Sequence, residues 1–495
     1  MFQLTRSFVE KSQKRYINYK KLPPPILQPK VAETGIFYNN EWHKAKSGKT
    51  IKVYSPTTGE AIAEVEAAGK EDVDAAVISA SKAFEYQSYW RTLNASERGN
   101  LLHKLASLIE KDAVLLASLE TLNNGIPYVY AMSSLLKLTI RTLRYFAGWA
   151  DKYHAKTIPM DGNFFCYTRH EPVGLAPAVA LGNTIVLKPS RVTPLTALHV
   201  AELTKKAGFP PGVVNVTVGG ADVGETLCKH PKVDKISFTG STRVGKFIQT
   251  YAIDSNFKRI TLELGGKNPI IIFADFNLKN SVDGCHEALF FNQGQACTAG
   301  SRAYVESKIY DEFVEKSVEK AKKRVVGDPF DLKTEHGPQI NQSNMDRILG
   351  LIDKGIKDGS VLKTGGKRIG TKGFFIEPTV FADVQDHHTL ANAEIFGPLQ
   401  QILKFDKIDD VLKRANNTQY GLGAGIYTHD MEKIHYLMQG LRVGSVWVNG
   451  YGVIGPQGPF GGYKDSGWGR ELGEYCLQQY TEVKNVVIKI KKKSS

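Results

Sequence analysis

The chain has 495 residues, 42% of them hydrophobic, 10% aromatic and 23% charged, which excludes a disordered or fibrous protein and, at roughly 150 residues per domain, allows two to four domains. Five scattered cysteines (Cys166, Cys228, Cys285, Cys297, Cys476) without C-x-x-C spacing exclude a disulfide scaffold and a zinc site, and point to a reducing compartment such as the cytoplasm. The net charge of +14 sits mostly in the tails, with seven Lys/Arg against Glu10 in residues 1–30 and five Lys against Glu482 in residues 482–495; no aromatic-interleaved basic patch suggests nucleic acid.

In chain order, residues 1–21 form a basic arm with Arg6, Lys11, Lys14 and Arg15, and Pro23-Pro24-Pro25 breaks any helix there. The arm reads either as a transit segment, which would place the protein in the mitochondrial matrix, or as a solvated extension. The first quarter of the remaining chain reads as helical: residues 70–84 place Val73 and Val77 at helical spacing, and residues 96–122 repeat the pattern with Asn94 or Ser96 as cap. From Asn183 the texture changes to short β-branched strands alternating with helices. Residues 184–187, 213–218, 235–238, 259–264 and 269–273 read as strands; 193–207, closed by Gly208 and Pro210, and a segment from Arg243 read as helices. Strands alternating with helices predict an α/β protein with parallel sheet. A second α/β stretch follows from Gly265 to Gly473, with a helix over 310–325 and a glycine-rich run over 450–469, so two domains of similar class join near Leu264-Gly265-Gly266. No apolar run reaches the ~18 residues of a membrane span.

Three local patterns carry chemistry. In Phe238-Thr239-Gly240-Ser241-Thr242-Arg243-Val244-Gly245 a strand enters a glycine turn that opens a helix, an arrangement suited to an anionic group but common in itself, and different from the G-x-G-x-x-G fingerprint. Cys297, in Phe291-Asn292-Gln293-Gly294-Gln295-Ala296-Cys297-Thr298-Ala299-Gly300, has small neighbours that let backbone N–H groups approach a thiolate or an oxyanion, although most lone cysteines are inert core residues. Glu263, in Thr261-Leu262-Glu263-Leu264-Gly265-Gly266-Lys267, is either a strand residue facing water or a desolvated base with a raised pKa; spacing leaves both open.

These patterns occur in this order with Glu394-Ile395-Phe396-Gly397-Pro398 and Pro459-Phe460-Gly461-Gly462-Tyr463-Lys464-Asp465-Ser466-Gly467, and together the chain resembles the aldehyde dehydrogenase superfamily, in particular its tetrameric class 1 and 2 branch, from about Phe37 to Val487. The resemblance implies oxidation of a small-molecule aldehyde to a carboxylic acid with NAD or NADP, in a homo-oligomer. It implies a Rossmann-like cofactor domain from residues 36–150 and 171–263, a catalytic domain from 264–475, and an oligomerisation part from a hairpin at 151–170 and a C-terminal strand in 476–495. Residues 1–35 stay outside as the basic arm. Cys297 would be the nucleophile that forms a thiohemiacetal and then a thioester, with Glu263 activating the hydrolytic water. Gly240, Ser241, Thr242, Arg243, Val244 and Gly245 would hold the pyrophosphate, Lys188 and Gly220 the adenosine side, and Glu394 and Phe396 the nicotinamide end. Phe291, Ile454 and Phe460 would line the substrate tunnel. No metal is implied.

Two departures from the pattern stand out. Arg191 lies three residues after Lys188, where NAD-preferring relatives carry an acid, so NADP becomes a candidate. Between Leu175 and Ala176 roughly twenty residues of the family pattern are absent, about a strand and a short helix. They carry a Trp-Asn-Phe-Pro turn whose asparagine completes the family's oxyanion hole, so a catalytically impaired subunit is the alternative reading. Loss of that strand would open the cofactor sheet, and residues 168–175 are the neighbouring segment able to move in.

Overall fold

The computed structural model describes residues 22–173 and 177–491; the basic arm and the junction at residues 174–176 lie outside the described residues. The first quarter is not all helical. Four short strands come first: β1 (Ile36–Tyr38), β2 (Glu41–His43), β3 (Thr50–Tyr54) and β4 (Ala61–Glu66). Their lengths, three to six residues, are too short for alternation to stand out in the sequence.

Helix α1 (Lys70–Phe84) then buries Val73, Ala76, Val77 and Ala80 on one face. The pattern over 96–122 resolves into α2 (Ala95–Lys111), whose N-cap is Asn94, and α3 (Ala113–Asn124), separated at Asp112. Helix α4 (Leu136–Ala147) packs against α2 in a core that includes Trp90, Leu102, Leu105 and Phe146. Beyond it, β5 (Thr157–Ile158) and β6 (Phe164–Pro172) form an antiparallel sheet with the C-terminal strand described below.

The alternating region appears where expected, with trimmed ends: β7 (Ile185–Leu187), α5 (Leu195–Ala207), β8 (Val214–Val216), α6 (Ala221–Lys229), β9 (Lys235–Thr239), α7 (Thr242–Ile253) and β10 (Arg259–Glu263). Gly208 closes α5 in the left-handed conformation, φ 94°. These strands do not form one sheet. Among the described residues β7 pairs with β8 in a four-stranded sheet ordered β2-β1-β8-β7, whereas β9 pairs with β10 in a separate three-stranded sheet. The third strand of that sheet, β18 (Gly467–Trp468), comes from far along the chain.

After β10 come β11 (Pro269–Ile272), α8 (Leu278–Phe290), β12 (Arg302–Glu306), α9 (Tyr310–Lys323), α10 (Gln342–Lys357), β13 (Val361–Thr364), β14 (Thr379–Ala382), β15 (Leu399–Phe405), α11 (Ile408–Asn416), β16 (Gly423–Tyr427), α12 (Met431–Gly440) and β17 (Ser445–Val448). The strands make a seven-stranded sheet, β13-β14-β15-β12-β11-β16-β17, parallel except at β13. The interior strand β11, between β12 and β16, reads Pro-Ile-Ile-Ile and is buried throughout, as a parallel strand covered by helices on both faces must be. The last strand, β19 (Thr481–Lys489), pairs along its full length with β6. Thr168 to Pro172 therefore stay in this hairpin sheet and do not move into the cofactor region, because nine residue pairs along the β19 ladder hold them there.

Candidate active site

Cys297 follows a tight turn, Phe291–Gly294, in which Asn292 and Gln293 adopt left-handed backbone angles, φ 49° and 58°. Such angles are costly for residues other than glycine and persist where surrounding contacts enforce them. Here the Asn292 side-chain amide donates to the Gln295 carbonyl (3.0 Å), and the Gln293 amide donates to the carbonyls of Gly125 and Pro338, both at 3.2 Å. Asn268, just ahead of β11, donates to the carbonyls of Cys297 and Ala299, each at 2.9 Å, and accepts from the Gly423 N–H at 2.9 Å. The Tyr451 hydroxyl donates to the Thr298 carbonyl at 2.8 Å. Cys297 is the one partly exposed cysteine; the other four are buried.

The glycine pair before β11 exists for proximity. A side chain on Gly266 would meet the Cys297 carbonyl at 2.3 Å, and one on Gly265 would meet the Glu394 carboxylate at 2.2 Å. Glu394 accepts from the Gly266 N–H at 3.0 Å, and its carboxyl pKa is raised by burial. Phe396, at φ 52°, is 39% exposed beside it.

Glu263, the last residue of β10, is 8% exposed and neither carboxyl oxygen has a hydrogen-bond partner. Burial, together with the like charge of Glu471, pushes its pKa up to about 8, against the opposing pull of Arg470. Of the two readings open from spacing, the structure has the desolvated one. A side chain on Gly461 would come within 2.8 Å of Glu263 Oε1, which accounts for the glycine in the Pro459–Gly467 motif. Burial likewise raises the Cys297 thiol to about 11, with Glu263 and Glu394 adding to the shift and the Thr298 and Cys297 amides opposing it. The thiol is thus not a preformed thiolate, contrary to what its glycine-flanked setting suggests. Burial outweighs the backbone N–H groups that favour the thiolate.

On the cofactor side, α7 begins at Ser241, whose hydroxyl accepts from the Val244 N–H at 3.4 Å. The amides of Thr242 and Arg243, in the first turn, have no intrahelical acceptor and suit an anion. Gly245 lets α7 sit on Leu264, since a side chain there would approach that leucine within 2.9 Å. A cavity of about 940 Å3 is lined by Lys188, Arg191, Gly220, Gly224, Arg243 and Val244, among others. Burial lowers the Lys188 pKa, with Arg191 adding to the shift and Asp222 opposing it. A cationic, glycine-walled cavity that opens onto a helix start fits a dinucleotide. Cys297, Glu263, Glu394 and Phe396 lie outside the lining of that cavity.

Sequence reasoning missed Asn268, Tyr451 and Glu471. Glu471 accepts from the Tyr480 hydroxyl (2.8 Å) and the Ser237 hydroxyl (3.2 Å), and beside it Lys235 donates to Thr261 Oγ1 at 2.8 Å. Only the Arg-Glu pair following the last glycine motif hinted at it. Of the expected tunnel residues, Phe291 packs edge-on to Tyr130 with ring centroids 5.4 Å apart, and Phe460 pairs with Glu471 through two backbone hydrogen bonds of 2.7 Å. Among the described residues no His/Cys/Asp/Glu cluster is placed to hold a metal, and no helix is long and apolar enough to cross a membrane.

Comparison with known proteins bears on this geometry. A sequence model described as the aldehyde dehydrogenase family matches residues 42–176 and 174–486, two blocks that meet at 174–176. The chain is 54% identical over 493 positions to a mitochondrial aldehyde dehydrogenase of Homo sapiens, covering 96% of this chain and 95% of the relative. It is 52% identical over 493 positions to retinal dehydrogenase 2 of Gallus gallus, covering 96% and 95% of the two chains. In structure it is similar to the NAD+ complex of an aldehyde dehydrogenase from Bacillus cereus, with TM-score 0.92, 42% identity and coverage of 95% of this chain and 100% of that one.

Proposed function

The chain belongs to the aldehyde dehydrogenase family of enzymes, which oxidise aldehydes to carboxylic acids with NAD(P)+, and from that premise we propose that Cys297 is its nucleophile and Glu263 its base. The observation that carries this reading is the pairing of the one partly exposed thiol with a buried carboxyl whose two oxygens have no partner.

Cys297 Sγ attacks the aldehyde carbon, and the thiol proton leaves to solvent or to the Glu263 carboxylate, giving a thiohemiacetal whose oxygen is an alkoxide. A nicotinamide cofactor, when bound, would supply the hydride acceptor. Loss of hydride from the carbon leaves a thioester on Cys297. Glu263 then takes a proton from water, the water oxygen adds to the thioester carbon, and the C–S bond breaks to release the acid and the thiol. The tether of Asn268 to the Cys297 and Ala299 carbonyls keeps the sulfur in place through both half-reactions. Lys188, Gly220, Gly240 to Gly245, Glu394 and Phe396 would hold the cofactor; Lys188, Gly220, Arg243 and Val244 line the cavity, and Arg191, exposed there, would favour the 2′-phosphate of NADP.

Residues 36–150 with 171–263 then make the cofactor domain and 264–475 the catalytic one. The β5–β6–β19 sheet mediates homo-oligomerisation, as a dimer or tetramer, a reading supported by exposed Phe164, Phe165, Val483 and Ile488. The reducing setting of five unpaired cysteines favours the cytoplasm; the basic arm and the mitochondrial relatives favour the matrix instead.

A second reading is an impaired enzyme kept as a structural or ligand-binding subunit, and the break between the β7 and β9 sheets supports it. Mixing the protein with acetaldehyde and NAD(P)+ tests both. An initial burst of NAD(P)H with an acyl adduct on Cys297 is expected of the enzyme, whereas binding of cofactor without either would identify the impaired subunit.

A further inference from the structure

β7 and β9 both line the 940 Å3 cavity, whose lining also includes Lys188, Gly220, Arg243 and Val244, assigned to the cofactor. Thr184, Val186 and Leu187 line it from one side, and Lys235, Ile236 and Ser237 from the other. Each strand is paired on one edge alone among the described residues. The alternation of a parallel ladder says which groups are spare. The Ile185 N–H donates to the Val213 carbonyl and the Thr217 N–H donates to the Leu187 carbonyl, so residues 185 and 187 point at β8 and the N–H and C=O of Val186 point into the cavity. On β9 the Arg259 N–H donates to the Asp234 carbonyl and the Gly240 N–H to the Glu263 carbonyl, so Ile236 and Phe238 serve β10 and Ser237 faces the cavity.

β8 leads to β9 through α6, the strand–helix–strand connection that within one sheet joins parallel strands. The helix walls are mostly apolar, with Val77, Ala80 and Phe84 of α1 and Leu227, Ile248 and Tyr251 of α6 and α7, and Ser81 and Glu225 among them. Charges of both signs line the cavity: Glu85, Glu225 and Asp234 against Lys188, Arg191, Lys232, Lys235 and Arg243.

We propose that the space between β7 and β9 is a docking slot for one extended, apolar peptide segment of about five residues, which adds as a parallel strand bonded to Val186 on one side and Ser237 on the other. Apolar side chains on both faces of the segment would meet the helices, as in a central parallel strand. The alignments agree with such a shortage of strand. The two family blocks meet at 174–176, and 493 aligned positions with the human relative take in only 96% of this chain, so some positions have no residue here.

The test is residue-resolved amide exchange on the full chain with a free-ended Val-Ala-Val-Leu-Ala peptide. Saturating peptide should slow exchange at Val186 and Ser237 by tenfold or more, and leave Ile185 and Phe238, already in ladders, within twofold. Val186→Pro removes the slot-facing N–H without touching the β8 ladder, and Ala80→Phe fills the slot from the helix wall while leaving both edges intact; each should weaken peptide binding at least tenfold. Melting curves of both variants confirm that they are folded, and loss of binding in either folded variant supports the slot. No slowing at millimolar peptide, equal slowing at all four amides, or displacement of the peptide by AMP without protection at Val186 would overturn the proposal. So would protection at Val186 and Ser237 before peptide is added that vanishes on dilution, since the occupant would then be a second copy of the chain.

Discussion

Asn268 holds Cys297 from 29 residues away in sequence, its side-chain amide donating at 2.9 Å to the Cys297 carbonyl while its oxygen ties the same loop to Gly423 of β16. The nucleophile's loop is thereby fastened to two adjacent interior strands of the largest sheet, β11 and β16. Asn268→Leu leaves two carbonyls and one N–H without their partner in a buried setting, which costs about 1–3 kcal/mol for each group left unsatisfied. We expect a lowered Tm and a fall in kcat of tenfold or more. Full activity in a variant with a lowered Tm would show that the tether serves stability alone.

Glu263→Gln keeps shape and removes the base. A general base contributes roughly 10²–10⁴-fold, so steady-state turnover should fall by that order while acyl-enzyme accumulates on Cys297, visible by intact mass. Unchanged turnover would remove Glu263 from the hydrolytic step.

Activity should depend on pH through the same carboxyl. With a pKa of about 8, Glu263 is mostly protonated at neutral pH and becomes a competent base as pH rises through 8, so a hydrolysis-limited rate climbs over that range. Glu471→Gln removes the like charge that raises it and should move the climb to lower pH. The stability linkage has its own sign. A carboxyl whose folded pKa lies above its unfolded value binds more protons when folded, so its contribution is present below about pH 4.5 and is lost as pH rises towards 8. Urea titrations of wild type and Glu263→Gln should diverge over this window.

Acid should unfold the protein through its buried histidines. Burial, with Arg324 nearby, lowers His336 to about 3. The unfolded chain therefore binds a proton that the folded chain refuses, and stability falls as pH drops from about 6.5 towards 3. His336→Gln should flatten that part of the stability profile; an identical slope in the variant would assign the acid sensitivity to other groups.

Arg191→Glu should favour NAD+ over NADP+, because the carboxylate repels a 2′-phosphate that the guanidinium attracts. The ratio of KM values for the two cofactors, before and after substitution, decides whether this residue reads the ribose.

What was legible in the sequence follows physical range. Helix α1 matched because Val73, Val77 and Ala80 repeat at helical spacing within fifteen residues, and Gly208 marked the end of α5 because a left-handed cap selects glycine. The strands β1 and β2 were missed because three residues carry too little alternation. Around Cys297 the sequence shows the neighbouring small residues and their amides, but not the burial and the approach of Glu263 and Glu394 that raise the thiol pKa, because those come with folding. Asn268 was silent for the same reason: its partners are Cys297, Ala299 and Gly423, and nothing local distinguishes it.

The pairing of β10 with β18 has a mechanical consequence. Main-chain bonding links β9, β10 and the start of α7 to Gly467 and Trp468, at the far end of the chain, rather than to β7 and β8. Lys188 and the Ser241 helix start therefore ride on different hydrogen-bonded bodies, joined by helix packing such as that of α6 on α1 and α7. A dinucleotide that reaches from Lys188 to Ser241 would act as a brace between them. Calorimetry of the unliganded chain should show two melting events that merge into one as cofactor is added.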